Sequence, residues 1–268
     1  MTQRIAILGA GVMGETLLSA ILRSGHAPGD VVISEKRDER AAELRDAYGV
    51  TVTGNAEAVA EADIVLLVVK PQDVSALLDE IAGSVRPEAT VVSLAAGITI
   101  ATMTAALPDG VAVVRAMPNT PALVGEGMFG ISPGAGVSAE RVAVVEALLK
   151  SGGKVVVVDE ALQDAVTAVS GSGPAYVFYL AEAMIAGGVQ AGLDDATART
   201  LTAQTLVGAA KLLAESDDTA DELRRRVTSP NGTTHAAITT FDQHGVKDGL
   251  VAGVAAAAAR SAELSGPA

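Results

Sequence analysis

Three groups of residues in this chain carry chemical information: a glycine cluster near the start, polar residues that end apolar runs, and two hydroxyl-rich segments in the second half. Gly9-Ala10-Gly11-Val12-Met13-Gly14 directly follows the apolar run Ile5 to Leu8 and precedes a helical segment, Glu15 to Arg23. In that setting of strand, turn and helix, G-x-G-x-x-G predicts a dinucleotide site. Gly9 would make the tight turn, Gly11 would let the backbone approach a pyrophosphate, and Gly14 would let the helix pack on the strand. Val12 and Met13 fall at the helix start, where free N–H groups and the positive dipole end favour phosphate.

The next apolar run, Val31-Val32-Ile33, leads into Ser34-Glu35-Lys36-Arg37. If Ser34 ends the strand, its hydroxyl with Lys36 and Arg37 forms a pocket for a 2′-phosphate, and NADPH is the coenzyme; if Glu35 ends it, the carboxylate reads the ribose 2′-hydroxyl and NADH is favoured. The basic pair tips the reading toward NADPH, with NADH as the alternative. Later apolar runs end in Asn55, Val69-Lys70-Pro71-Gln72, Ala95-Ala96-Gly97 and Met117-Pro118-Asn119-Thr120. Ligands of open α/β sheets lie outside the carboxyl ends of the strands, so these segments are candidates to line ribose and nicotinamide. Lys70 equally suits a surface lysine that closes a strand. In the second half, Val169-Ser170-Gly171-Ser172-Gly173-Pro174-Ala175-Tyr176 and Val227-Thr228-Ser229-Pro230-Asn231-Gly232-Thr233-Thr234 each suit an interhelical turn with caps. Beside a nucleotide fold, a hydroxyl-rich helix start also suits a small carboxylate.

The elements that must position these residues follow from periodicity. Up to about residue 160, short Val- and Ile-rich runs (Ile5 to Leu8, Val31 to Ile33, Ile64 to Val69, Val91 to Ala95, Val111 to Val114, Val155 to Val158) alternate with helical patterns. That alternation predicts a parallel sheet covered on both faces. Ala-rich helical segments then run from Glu160 to Glu263, broken at Ser170 to Pro174, Gly192 to Asp195, Ser216 to Asp218 and Thr228 to Gly232. The fold class is α/β: an N-terminal Rossmann-type doubly wound sheet, residues 1–160, followed by an all-helical domain, residues 161–268. Ala186, Gly187, Gly188, Ala191 and Gly192 are small enough to let another helix approach closely, or simply mark a helix that ends in glycine.

Composition excludes several classes of function. With no cysteine there is no disulfide framework, thiolate zinc site or cysteine nucleophile, and no metal site is expected. A net charge of −13 and an aromatic content of 2% speak against a nucleic-acid partner. No run approaches the roughly 20 apolar residues of a membrane span. Met1 leads straight toward Ile5 to Leu8 and the glycines, without the pattern of a secretory signal, so a cytoplasmic location is expected.

Taken together, these segments resemble the pyrroline-5-carboxylate reductases over essentially the whole chain. The glycine turn, Val69 to Gln72, Arg115-Ala116-Met117-Pro118-Asn119-Thr120-Pro121, Val169 to Tyr176 and Val227 to Asp242 occur in that family's order and approximate spacing. The resemblance implies a helical domain through which subunits pair, a homodimer as the minimum unit, and often assembly into larger rings. It places Ser229, Gly232, Thr233 and Thr234 on the carboxylate of a small imino-acid substrate, and Asn55, Lys70, Pro71 and Asn119 along the cofactor. Thr234 and, less directly, Thr167 are implied at the reacting centre. The family commonly has glycine where this chain has Asn231, a residue that tolerates the left-handed conformation.

The implied reaction is hydride transfer from NADPH, or NADH, to the C=N carbon of 1-pyrroline-5-carboxylate, giving L-proline as the last step of its biosynthesis. No general acid stands out: His235 and His244 lie near the right region but not at motif positions. A 3-hydroxyacid dehydrogenase shares the glycine turn but needs a lysine after its interdomain segment, and here no lysine falls between Lys154 and Lys211. A non-catalytic redox sensor that binds NADPH and a partner protein is the alternative from another class.

Overall fold

A computed structural model describes residues 3–266, which divide into two compact units: residues 3–172 with 257–266, and residues 173–256. Unit one holds a single eight-stranded sheet: β1 (Ile5–Leu8), β2 (Val31–Ser34), β3 (Thr51–Thr53), β4 (Ile64–Leu67), β5 (Thr90–Ser93), β6 (Ala112–Met117), β7 (Gly127–Pro133) and β8 (Gly153–Val157). The strands lie in the order β3-β2-β1-β4-β5-β6-β7-β8. Strands β1 to β6 pair in parallel throughout, in the doubly wound order whose direction reverses between β1 and β4. The predicted parallel sheet therefore needs one correction: β7 runs antiparallel to β6 and parallel to β8.

Helices α1 (Val12–Arg23), α2 (Asp38–Tyr48), α3 (Asn55–Ala60), α4 (Val74–Ile81), α5 (Ile100–Ala106) and α6 (Ala139–Leu149) cover the sheet. The period of two in β1 sorts its side chains between two cores. Ile5 and Ile7 pack in one cluster with Leu17, Leu18 and Ile21 of α1, Leu44 of α2 and Leu148 of α6. Ala6 and Leu8 join Val59 of α3, Leu78 and Ile81 of α4 and Met103 of α5 on the other face. After β8 comes a short helix, α7 (Gln163–Val166), which runs directly into a π turn at Thr167–Gly171, closed by Ser172 N donating to Thr167 O at 2.8 Å. Gly171 lies against Met117 there, its Cβ position 2.6 Å from the Met117 methyl.

Unit two is built from α8 (Gly173–Gln190), α9 (Asp195–Glu215), α10 (Ala220–Arg226), α11 (Thr233–Gln243) and the first part of α12 (Val246–Ser265). Side-chain caps start two of these helices: Asp194 accepts from Thr197 N at 2.9 Å, and Thr219 with Glu222 forms a capping box. Gly188 packs α8 against α9, with its Cβ position 3.3 Å from the Ala198 methyl, whereas Gly187 faces open space. The expected break at Ser170 to Pro174 is instead the π turn followed at once by α8, and a further break falls at Gly245, whose φ is +65°. By contact, the compact units divide after the π turn, and the end of α12 belongs to unit one. There Ser261 donates to Asp164 of α7 at 2.6 Å, and the left-handed Gly97, φ +76°, leaves room for Leu264 O at 3.2 Å from its Cβ position.

Candidate functional site

The glycine turn has the geometry its sequence requires. Gly9 adopts φ +99°, donates its N–H to Ser34 O at 3.0 Å, and sits where a Cβ would be 2.8 Å from Val68 O. A Cβ on Gly14 would lie 2.0 Å from Gly9 O, so helix and strand touch there. Gly11, by contrast, is extended (φ −67°, ψ −168°) and its Cβ position meets nothing within 4 Å. It starts α1 without a side-chain cap, so the N–H groups of Val12, Met13 and Gly14 have no helical acceptor. Val12, 70% exposed, leaves this surface uncovered. Open space over Gly11, three orphan donors and a helix N-terminus fit a diphosphate. Glu15, the acidic residue in the first turn of α1, is occupied by an ion pair with Arg40 and by the Tyr48 hydroxyl at 3.0 Å.

Gly9, Ser34, Lys36, Arg37, Asn55 and Val69, all predicted from sequence, line one cleft of about 430 Å³. Ser34 is the last residue of β2, paired with Leu8 and buried, so it holds the strand-end position. Glu35 follows it and is bound by Arg37 through the backbone N (3.0 Å), Nε (3.1 Å) and Nη2 (3.3 Å). These bonds hold the Glu35 carboxyl below the ordinary carboxylate range, against the opposing effect of burial. Asn55, the first residue of α3, is buried and donates to Glu80 Oε2 at 2.9 Å. Sequence reading missed Glu80 because its role depends on α3 and α4 packing side by side.

The remaining cofactor candidates gather at the carboxyl edge of the same sheet. Lys70 and Pro71 are exposed just beyond β4, where Pro71–Asp73 forms a 3₁₀ turn into α4. Ala95 is buried and Ala96 exposed beyond β5. Met117 ends β6, followed by Pro118. The Asn119 amide is committed to the scaffold, Oδ1 accepting from Met128 N at 2.8 Å and Nδ2 donating to Ser170 O at 3.0 Å. One amide hydrogen and one lone pair remain for a ligand. Thr167 donates its hydroxyl proton to Gln163 O at 2.8 Å, leaving the oxygen as an acceptor. Gln163, unremarked in the sequence, is fully buried and donates Nε2 to Gly130 O (3.1 Å) and Ser132 Oγ (2.8 Å), which fixes α7 against β7.

Within unit two, the loop before α11 has the shape of an anion cradle. Gly232 N donates to Ser229 O at 3.0 Å, and Asn231 takes φ +59°, the left-handed geometry for which glycine is usual. Gly232 starts α11 without a side-chain cap, so the N–H groups of Thr233, Thr234 and His235 lack helical acceptors. The hydroxyls of Ser229, Thr233 and Thr234 flank these donors along the chain. The Thr228 hydroxyl donates to Arg224 O at 2.6 Å and is used locally. The upstream arginines are also engaged: Arg224 and Arg225 with Asp221, at 2.6 and 3.0 Å, and Arg226 with Asp218 at 2.7 Å. Attraction for an anion at this loop therefore comes from N–H and hydroxyl dipoles.

The family description "Pyrroline-5-carboxylate reductase dimerisation" matches residues 160–264, and "NADP oxidoreductase coenzyme F420-dependent" matches residues 4–97. Pyrroline-5-carboxylate reductases from Corynebacterium melassecola (43% identical, covering 97% of this chain and 98% of the relative) and Pseudomonas aeruginosa (44%, covering 98% and 97%) are similar along their length. Among solved structures, a pyrroline-5-carboxylate reductase from Coxiella burnetii superposes with a TM-score of 0.94 at 31% identity, each chain covered fully. A pyrroline carboxylate reductase from Plasmodium falciparum with NADP bound gives 0.86 at 25% identity, covering 98% of each chain. With whole-length identity above 40% and glycine turn and hydroxyl loop both in place, this chain belongs to the pyrroline-5-carboxylate reductase family.

Proposed function

We propose that the protein is an NADPH-dependent oxidoreductase that reduces 1-pyrroline-5-carboxylate to L-proline, with NADH as a second coenzyme. The observation that carries this reading is the turn at Gly9 to Gly14, whose open face at Gly11 and orphan N–H donors suit a pyrophosphate, in a chain of this family. When bound, the reduced nicotinamide supplies the hydride to the C=N carbon. The protein's residues bind and orient: Gly9, Gly11, Val12, Met13 and Gly14 at the diphosphate; Ser34, Lys36, Arg37 and Asn55 at the adenine-side ribose; Val69, Lys70, Pro71, Ala95, Ala96, Met117, Pro118 and Asn119 along the rest of the coenzyme. Ser229, Gly232, Thr233 and Thr234 take the substrate carboxylate. Thr167, with its proton directed to Gln163 O, accepts from the N–H of the protonated imine. A protonated imine is the better hydride acceptor, and no side chain here needs to act as its acid. Holding reactants in register can lower the barrier by roughly 7 to 11 kcal/mol.

Residues 1–160 serve the coenzyme, and residues 161–268 serve substrate and assembly. The functional unit is a homodimer, with larger rings built from dimers, in the cytoplasm. The family description that names dimerisation supports pairing, as does the scarcity of buried residues in unit two, where only Ala198 and Thr202 are buried. Among the described residues, no helix is long and apolar enough to cross a membrane. The decisive assay supplies NADPH and 1-pyrroline-5-carboxylate and follows coenzyme absorbance and L-proline together. Imine-dependent oxidation with stoichiometric proline is expected; coenzyme binding without turnover would favour the redox-sensor alternative.

A further inference from the structure

Two features of the cleft beside the glycine turn oppose each other. Its cations, Lys36 and Arg37, suit a 2′-phosphate, but Glu35, Asp73 and Glu80 line the same cleft. Glu80 is held by Asn55, whereas Glu35 is held by Arg37 itself. The Glu35 side chain is 8% exposed and that of Arg37 68%, so the carboxylate forms cleft wall while the guanidinium folds over it from the solvent side. Both carboxylate oxygens are engaged, Oε1 by Nε and the Arg37 backbone N, Oε2 by Nη2. One face of a guanidinium fork serves one bidentate anion at a time. A 2′-phosphate that takes this face must therefore displace Glu35, and a carboxylate left in place has the lone pairs to accept from a ribose diol instead.

We propose that Glu35 is a specificity-determining residue that competes with the coenzyme's 2′-phosphate for Arg37, so that the one site accepts NADH with the pair intact and NADPH with the pair opened. The inference rests on the nucleotide site of the proposed function. Ser34 at the strand end supplies a hydroxyl to either coenzyme, and the Glu35–Arg37 exchange sets their ratio. Glu35→Gln keeps the shape, removes the competing charge and frees Arg37. Arg37→Ala removes the phosphate's partner and leaves the carboxylate.

The test is calorimetric titration of the full-length protein with NADPH and with NADH, without imine, together with thermal melting of each variant. Glu35→Gln is expected to tighten NADPH and weaken NADH by about tenfold each, the lower end of one charge-assisted hydrogen bond converted to a ratio. Arg37→Ala is expected to shift the ratio the other way by at least tenfold on the same scale. Opposite movements exclude a damaged fold, which would lose both ligands together. If wild-type protein binds both coenzymes and Glu35→Gln leaves their ratio within about twofold, on a scale where tenfold is 1.4 kcal/mol, the competition is overturned while the nucleotide site stands. If wild-type protein binds neither, both readings fall.

Discussion

Gly11 and Gly14 share one turn, yet a side chain would fare oppositely at the two. At Gly14 a Cβ would lie 2.0 Å from a backbone oxygen, so Gly14→Ala should cost stability at or above the roughly 3 kcal/mol upper end of ordinary overpacking, read as a lowered melting temperature. At Gly11 the Cβ position is open, so Gly11→Val should melt close to wild type while NADPH affinity collapses. Unchanged NADPH binding in that variant would remove the turn from the site. Thr234→Ala probes the other loop: losing one hydrogen bond to a charged group costs about 1.5 to 3 kcal/mol, so KM for the imine should rise roughly tenfold to a hundredfold with NADPH binding unmoved. If the coenzyme weakened instead, the two ligands would have to exchange sites. Such residues were legible because a local pattern dictates their conformation. Asn119 was legible as a polar strand end, but its partners, Met128 N and Ser170 O, are fixed only by tertiary packing.

At the scale of elements, six strands announced themselves as Val- and Ile-rich runs, among them β8, which is largely exposed. Two others did not: Thr51–Thr53 is too short to show a period, and Gly127–Pro133, with two glycines and a proline, reads as loop until β6 and β8 pair with it. The π turn was equally hidden, since Ser170-Gly171-Ser172-Gly173-Pro174 has the composition of a break, and the bond from Ser172 N to Thr167 O that closes the turn leaves no mark in the sequence. The loop before α11 makes a prediction of its own from the left-handed Asn231. Asn231→Gly should retain the imine KM within about twofold and melt no lower, because glycine adopts that conformation without a Cβ penalty. Asn231→Val should raise KM sharply, since β-branched residues resist it. Equal KM in both variants would show that the loop's shape does not matter to the substrate.

For the whole molecule, unit two is a set of helices without a substantial core. Val177, Phe178, Tyr179 and Leu180 of α8, Val207, Leu212 and Leu213 of α9, and Leu250 and Val251 of α12 are exposed. Apolar surface on this scale marks an interface. The full chain is expected to scatter light as a dimer or larger at micromolar concentration, and a monomer there would contradict the proposed pairing. Dilution that dissociates the dimer should lower specific activity.

The return of α12 to unit one has a further consequence, in the order of synthesis. Domains generally fold from the N-terminus as the chain is made. Here the nucleotide unit includes residues 257–266, so everything from Gly173 to Ala256 must leave the ribosome before its last piece arrives. Until then Asp164 lacks the Ser261 hydroxyl, and the carbonyl of Leu264 has not reached Gly97. A nascent chain arrested before Ala257 should therefore expose the β5 and α7 region to protease, and protection should come only with the final turns of α12. Equal protection of arrested and released chains would show that the first unit closes without the end of α12.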